Sequence, residues 1–173
     1  MRRATAEDWP ALWEIIAAVV QTGDTYTLAP DVSEAEAREY WTGIPLDTYL
    51  AELDGEVVGT YVMRANQRGL GSHVANAGYM VRPGYAGQGI GTLLAEHSLV
   101  AARAAGFAAM QFNAVVSTNE RAVALWQRLG FSIVGTVPRA FRHRTKGLVD
   151  LLIMHRFLVD PDSDLALGPT RLA

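Results

Sequence analysis

Val81-Arg-Pro-Gly-Tyr-Ala-Gly-Gln-Gly-Ile-Gly-Thr92 sets Gly87, Gly89 and Gly91 between a predicted strand and a predicted amphipathic helix. Glycine lets a main chain come close to a ligand, the first N–H groups of a helix have no intrahelical acceptor, and the helix dipole favours negative charge there. The pattern reads as a phosphate cradle and predicts a phosphorylated cofactor. Two familiar loops with this task do not fit. A P-loop ends in Gly-Lys-Ser/Thr, whereas Thr92 follows Gly91 with no lysine nearby. A dinucleotide fingerprint runs Gly-x-Gly-x-x-Gly; here the third glycine comes one residue early, and no acidic residue follows at the spacing that holds a ribose.

A second stretch, Asn113-Ala-Val-Val-Ser-Thr-Asn119, runs directly into Glu120-Arg-Ala-Val-Ala-Leu-Trp-Gln-Arg-Leu-Gly-Phe131. Asn119 is a good N-cap, Ala122, Leu125, Trp126 and Leu129 form one apolar stripe, and Gly130 is placed to end the helix in a left-handed turn.

In this order the two stretches resemble the signatures of the GCN5-related N-acetyltransferases. The coenzyme A pattern Gln/Arg-x-x-Gly-x-Gly/Ala falls on Ala86 to Gly91, and the Asn that opens a short helix ending in Gly-Phe falls on Asn119. Ala86 departs from the usual Gln or Arg, although Gln88 can supply an amide. Main-chain N–H groups do most of the holding in such a loop, so the change weakens binding rather than abolishing it. The resemblance runs from Arg2 to about Arg156. It implies an α+β fold with a mixed, mostly antiparallel sheet of about six or seven strands flanked by about four helices. It also implies acetyl-coenzyme A as cosubstrate without a metal, contacted by Met80, Val81, Ala86, Gly87, Gln88, Gly89, Ile90, Gly91, Thr92, Asn119 and Trp126.

Composition agrees with one enzyme domain, residues 1–159, followed by a Pro-, Gly- and Asp-rich stretch, 160–173, expected to be a flexible tail. With 173 residues, half of them hydrophobic, the chain suits a single core of ordinary size. A net charge of −3 gives no general reason to expect nucleic acid. The local exception, Arg139, Arg142, His143, Arg144 and Lys146, reads as a solvated loop, with contact to the cofactor's 3′-phosphate or an acidic substrate group as the alternative. The absence of cysteine excludes disulfides, a thiol nucleophile and a thiolate zinc site, and suits a reducing cytosol. A polar start and no long apolar run predict a soluble, cytoplasmic protein with no membrane partner. The family resemblance adds a homodimer as an expectation, since dimers are frequent among relatives.

Along the chain, a short first strand precedes a helix begun by Thr5 to Asp8 and running to about Val20, and Ser33 with Glu36 caps a second helix to about Trp41. The turn-rich 21–32 segment between them is expected to arch over the sheet; by family analogy it shapes the acceptor pocket, with Asp24, Thr25, Tyr26 and Thr27 as candidates. Asp54-Gly55 predicts a hairpin between strands 49–53 and 57–63. Further strands are expected at 74–81, 109–116, 132–137 and 148–155. The helix after the glycine loop is expected to turn Ile90, Leu93, Leu94, His97 and Ala101 inward. Alternation in strand 109–116 places Met110, Phe112, Ala114 and Val116 on one face and Gln111, Asn113 and Val115 on the other. Buried amides must be bonded to structure or to a ligand. In strand 74–81, Gly78 is expected to leave room for a ligand or a bulge.

Asn76, Asn113 and Asn119 further resemble the pocket of a narrower group, the azetidine-2-carboxylate (proline-analogue) N-acetyltransferases. That resemblance assigns substrate binding and catalysis to Asn113 and Asn119 and narrowing of the pocket to Asn76; the competing reading makes Asn119 an N-cap and Asn113 a satisfied amide. The implied reaction is direct attack of a neutral amine on the acetyl thioester. Main-chain N–H groups near Met80 and Val81 would polarise the carbonyl. Trp126 stands where many relatives have a Tyr acid, and its indole N–H has no accessible acidity. A water held by Asn113 or Asn119 is the expected base; His73 and His143 are loop alternatives, while His97 and His155 read as structural. Two other functions stay open: acetylation of a protein N-terminus or lysine, and a non-catalytic acyl-coenzyme A sensor. A covered acceptor side would argue against the first.

Overall fold

The computed structural model describes residues 1–43 and 47–162, so most of the predicted tail, 163–173, lies outside the described residues. Strands β1 (Arg2–Arg3), β2 (Asp47–Leu53), β3 (Glu56–Ala65), β4 (Val74–Val81), β5 (Ala109–Val116), β6 (Ser132–His143) and β7 (Gly147–Phe157) form one sheet in the order β1-β2-β3-β4-β5-β7-β6. Only the β4–β5 pair is parallel. Among the described residues, four helices flank the sheet: α1 (Trp9–Val20), α2 (Glu34–Thr42), α3 (Ile90–Ala104) and α4 (Glu120–Arg128). The α+β architecture is as expected.

Local chemistry explains the element ends. The Asp8 carboxylate accepts from the Thr5 N–H at 2.7 Å ahead of α1. At α2, Ser33 Oγ accepts from Glu36 N at 3.3 Å while the Glu36 carboxylate takes Ser33 N at 3.1 Å, a reciprocal capping box. Asp54 and Gly55 both have positive φ, 52° and 84°, as the two-residue β2–β3 hairpin requires.

Each sheet face carries a core. Tyr61, Met63, Met110, Phe112 and Val115 pack under α3 and α4, while Leu50, Val62 and Met80 meet Leu12, Ile15, Ile16 and Trp41 from α1 and α2. The buried face of α3 is Leu94, Ala95, Ser98, Leu99 and Ala102, rotated from the predicted stripe, and Leu93 is exposed. Large rings occupy the sheet beneath, so the helix approaches on small residues, and Tyr79 Oη meets Ser98 Oγ at 2.7 Å.

Two departures from the predicted strands concern the site. A bulge between Phe112 and Val115 returns Val115 to the face of Met110 and Phe112 and leaves Asn113 and Ala114 exposed, which breaks the predicted alternation. The basic Arg139–Lys146 segment is not a loop: β6 runs through His143, with a register shift between Val137 and Phe141 and φ 54° at Arg139. The hairpin tip docks on the 21–27 segment, where Arg144 N–H donates to Gly23 O at 3.0 Å.

Candidate active site

β4 and β5 pair only at Val74↔Ala109 and Ala75↔Met110, then part. Asn76 Nδ2 donates to Gln111 O at 2.9 Å and so closes the apex of the parting. Asn66 N–H bonds Val74 O and Arg82 N–H bonds Val58 O, and the β3–β4 register between them is unbroken. Even-numbered residues of β4 therefore bond to β3, and Ala77, Tyr79 and Val81 turn their N–H and C=O groups to the open edge. Val81, one of the two residues singled out in the sequence, turns its N–H to this edge. Met80 does not: its N–H faces β3 and its side chain is buried in the α1–α2 core.

At the far end of β4, Gly87 and Gly89 hold φ +83° and +84°, and a Cβ on either would meet nothing within 4 Å. The unbonded N–H groups of the first α3 turn open beside them, and that turn has no acidic side chain. The loop is pinned from below. Arg82 Nε donates to Val57 O at 2.8 Å, Arg82 Nη1 to Glu14 Oε2 at 3.1 Å, and Tyr85 Oη to Glu56 Oε2 at 2.7 Å. Arg82 is thus spent on protein groups, and the cradle works through its main chain. Gln88 Nε2 donates to Gly84 O at 3.2 Å, which fixes the loop internally. Ile90 and Gly91 serve packing: a Cβ on Gly59 would lie 2.9 Å from Ile90 Cγ2, and a Cβ on Gly91 would lie 3.8 Å from Leu125.

Loop and parting open into one cleft of about 630 Å³. Of the predicted residues, Tyr26, Asn76, Met80, Val81, Ala86, Asn113, Asn119 and Trp126 line it, while Gly87 to Thr92 form the loop and first helical turn at its end. Thr22, Asp24, Thr25 and Thr27, with Tyr40 and Trp41 of α2, line one side of it. None of Arg139, Arg142, His143, Arg144 and Lys146 lines the cleft, nor does any histidine.

The Tyr26 hydroxyl donates to Tyr79 O at 3.1 Å, and a Cβ on Gly78 would stand 2.9 Å from that oxygen. The missing side chain at Gly78 therefore admits Tyr26, and Gly78 itself lines the cleft. Burial pushes the Tyr26 phenol well above its ordinary pKa and raises that of Tyr79 too, so both stay protonated and neither is a base. Asn113 Nδ2 donates to Asn66 Oδ1 at 2.6 Å and its Oδ1 accepts from Gln111 Nε2 at 2.8 Å, an amide chain on the rim. Asn119 Oδ1 accepts from Ala122 N at 3.3 Å, the N-cap that sequence predicts, while its Nδ2 has no partner among the described residues. Trp126 packs 4.8 Å from the Tyr79 ring and 4.6 Å from Phe112.

His73 Nδ1 lies 3.2 Å from Leu70 O, and His143 Nδ1 accepts from the Thr145 and Lys146 N–H groups, so the two loop candidates are turn elements. His97 Nδ1 pairs with Tyr61 Oη at 2.8 Å, and burial lowers its pKa. Sequence reasoning missed Arg64, Tyr40 and Trp41 as lining residues; only the β3–β4 register, which sets Arg64 opposite Asn76, brings Arg64 to the site.

Residues 9–131 match the sequence model of the family described as acetyltransferase (GNAT) family. The N-acetyltransferase aca1 of Schizosaccharomyces pombe is 29% identical over 151 residues, covering 78% of this chain and 72% of the yeast protein. The structure of a GCN5-related N-acetyltransferase from Kribbella flavida superposes with a TM-score of 0.85 at 42% identity, covering 90% of this chain and 95% of that one. A Sinorhizobium meliloti phosphinothricin acetyltransferase, solved with acetyl-coenzyme A, shares the fold at 23% identity and TM-score 0.83, covering 98% and 92% of the two chains.

Proposed function

The chain belongs to the acetyltransferase (GNAT) family, and on that premise we propose that it moves acetyl from acetyl-coenzyme A to the amine of a small molecule, such as a proline-analogue imino acid or another amino acid. One observation carries this reading: β4 parts from β5 after two paired residues, and its open edge leads to an open glycine loop at a helix N-terminus. The residues present fit the cofactor. Gly87, Gly89 and the first-turn N–H groups of α3 would hold its phosphates, and the open edge at Ala77, Tyr79 and Val81 would pair with its extended amide arm.

When bound, acetyl-coenzyme A supplies an activated thioester. The chain's own part is to orient the acceptor and to polarise a carbonyl with a β4 N–H. Asn119 spends its Oδ1 on the helix and has its Nδ2 left for acceptor or water. Asn113 presents its amide at the rim. Trp126 offers no acidic proton, so the leaving thiol is protonated through water. The walls built by Thr22 to Thr27 and by α2 favour a small acceptor over a protein chain.

The test is acetyl-coenzyme A-dependent thiol release with azetidine-2-carboxylate, cis-4-hydroxyproline, ordinary amino acids, polyamines and a peptide. Asn113→Ala and Asn119→Ala are assayed beside the parent. Turnover on imino or amino acids that both variants lose supports the proposal and the two asparagine roles. Preferential turnover of the peptide points to protein acetylation, and tight cofactor binding with no turnover points to a sensor.

A further inference from the structure

Among the described residues lining the cleft, Asp24 and Arg64 are the only charged ones. Arg64 lies on β3 opposite Asn76, one residue beyond the last β4–β5 pair, so it stands at the apex where the cleft narrows. Cross-strand partners share a face, which puts Arg64 with Asn76 on the side walled by α2. Its guanidinium sits over the Tyr40 ring, 5.5 Å from the centroid. No described residue forms an ion pair or hydrogen bond with it. Arg2 and Arg82, by contrast, are spent on carboxylates: Arg2 holds Asp8 and Glu52, and Arg82 holds Glu14 and Glu56. Asp24 forms no ion pair with Arg64; its carboxylate lies against the Thr22 hydroxyl. A partly buried guanidinium resting over a ring, with its donors unspent, is a fork suited to a carboxylate.

We propose that Arg64 anchors the carboxylate of the acceptor, which is therefore an α-amino or α-imino acid with a free carboxyl group; this rests on the acetyl-transfer reading of the cleft. One positive and one negative side chain in a single cleft complement a zwitterion. A polyamine has no group for Arg64, and a protein N-terminus carries no carboxylate on its first α-carbon.

The experiment presents each acceptor twice, as the acid and as the carboxamide, with azetidine-2-carboxylate, proline and several primary amino acids as probes and a polyamine as comparison. Parent, Arg64→Met and Arg64→Lys are assayed. The parent should favour acids over carboxamides by about 100-fold in kcat/KM, as expected for losing a charge-assisted pair. Arg64→Met should erase that preference by losing activity on the acid alone, with acetyl-coenzyme A affinity and Tm unchanged, and Arg64→Lys should recover part of it. Equal turnover of acid and carboxamide by the parent, equal loss on both in Arg64→Met, or a polyamine as the best acceptor overturns the anchor. Should no amine be acetylated while acetyl-coenzyme A binds, the transfer reading fails separately. Calorimetry on the cofactor-loaded protein then decides the anchor: binding of the acid alone, lost in Arg64→Met, supports it, and binding of both forms or of neither overturns it.

Discussion

Gly89→Ala separates the cradle from the fold, because α3 carries a matched control at its other end. Gly89 has φ +84° and Gly106 has φ +88°, and a Cβ on either would meet nothing within 4 Å. Each substitution forces alanine into the left-handed region without a clash, at about 1–2 kcal/mol. For a chain of this size that is a Tm fall of roughly 2–8 °C, similar in both variants. Gly106 lies a helix length from the loop, about 22 Å at 1.5 Å per residue, so only Gly89→Ala should disturb the phosphate site. Losing one N–H bond to a charged group costs about 1.5–3 kcal/mol, or roughly a 10- to 100-fold rise in the acetyl-coenzyme A Kd. Thermal denaturation and calorimetric titration of both variants measure the two quantities. If Gly106→Ala weakens cofactor binding as much as Gly89→Ala does, or if Gly89→Ala leaves Kd unchanged, the cradle argument is wrong.

Gly59→Ala places a Cβ 2.9 Å from Ile90 Cγ2, 3.0 Å from Leu94 Cδ1 and 3.3 Å from Met80 O; overpacking should cost about 1–3 kcal/mol and lift the α3 N-terminus, lowering both Tm and cofactor affinity, with partial recovery on adding Ile90→Ala. Tyr26→Phe removes the donor to Tyr79 O and should cost about 1 kcal/mol in urea denaturation while raising the acceptor KM more than that of acetyl-coenzyme A. Arg2 holds the Asp8 carboxylate well below its usual range. The stability it confers is therefore present above the unfolded carboxylate pKa near 4 and is lost as pH falls below it. Asp8→Asn should accordingly lower stability at pH 7 and flatten the acid limb, read by urea unfolding at pH 7 and pH 3.

The fold was legible where local rules act alone: the Asp54-Gly55 turn, the Ser33–Glu36 box, the Asn119 cap and the glycine loop all form as their residues dictate. What escaped depends on partners distant in sequence. The β5 bulge that frees Asn113 is set by pairing with β7, and strict alternation hides it. Gly78 reads as open space until Tyr26, from a turn-rich segment, fills it. The face of α3 is chosen by the rings beneath it, which favour Ala95, Ser98 and Ala102 over Leu93. Arg64 looks like an ordinary strand-end charge until the register sets it beside Asn76 and α2 brings Tyr40 under it.

The cleft's two tryptophans also have an optical use. Under the proposed reading Trp41 stands on the acceptor wall and Trp126 on the cofactor wall, while Trp9 and Trp13 stack together on α1 and do not line the cleft. Of the four tryptophans, these two are the ones whose emission a ligand in the cleft would alter directly. With Trp41 or Trp126 replaced by phenylalanine, the other is the one cleft tryptophan left, and its change, read over the emission of Trp9 and Trp13, follows one half of the site without a label.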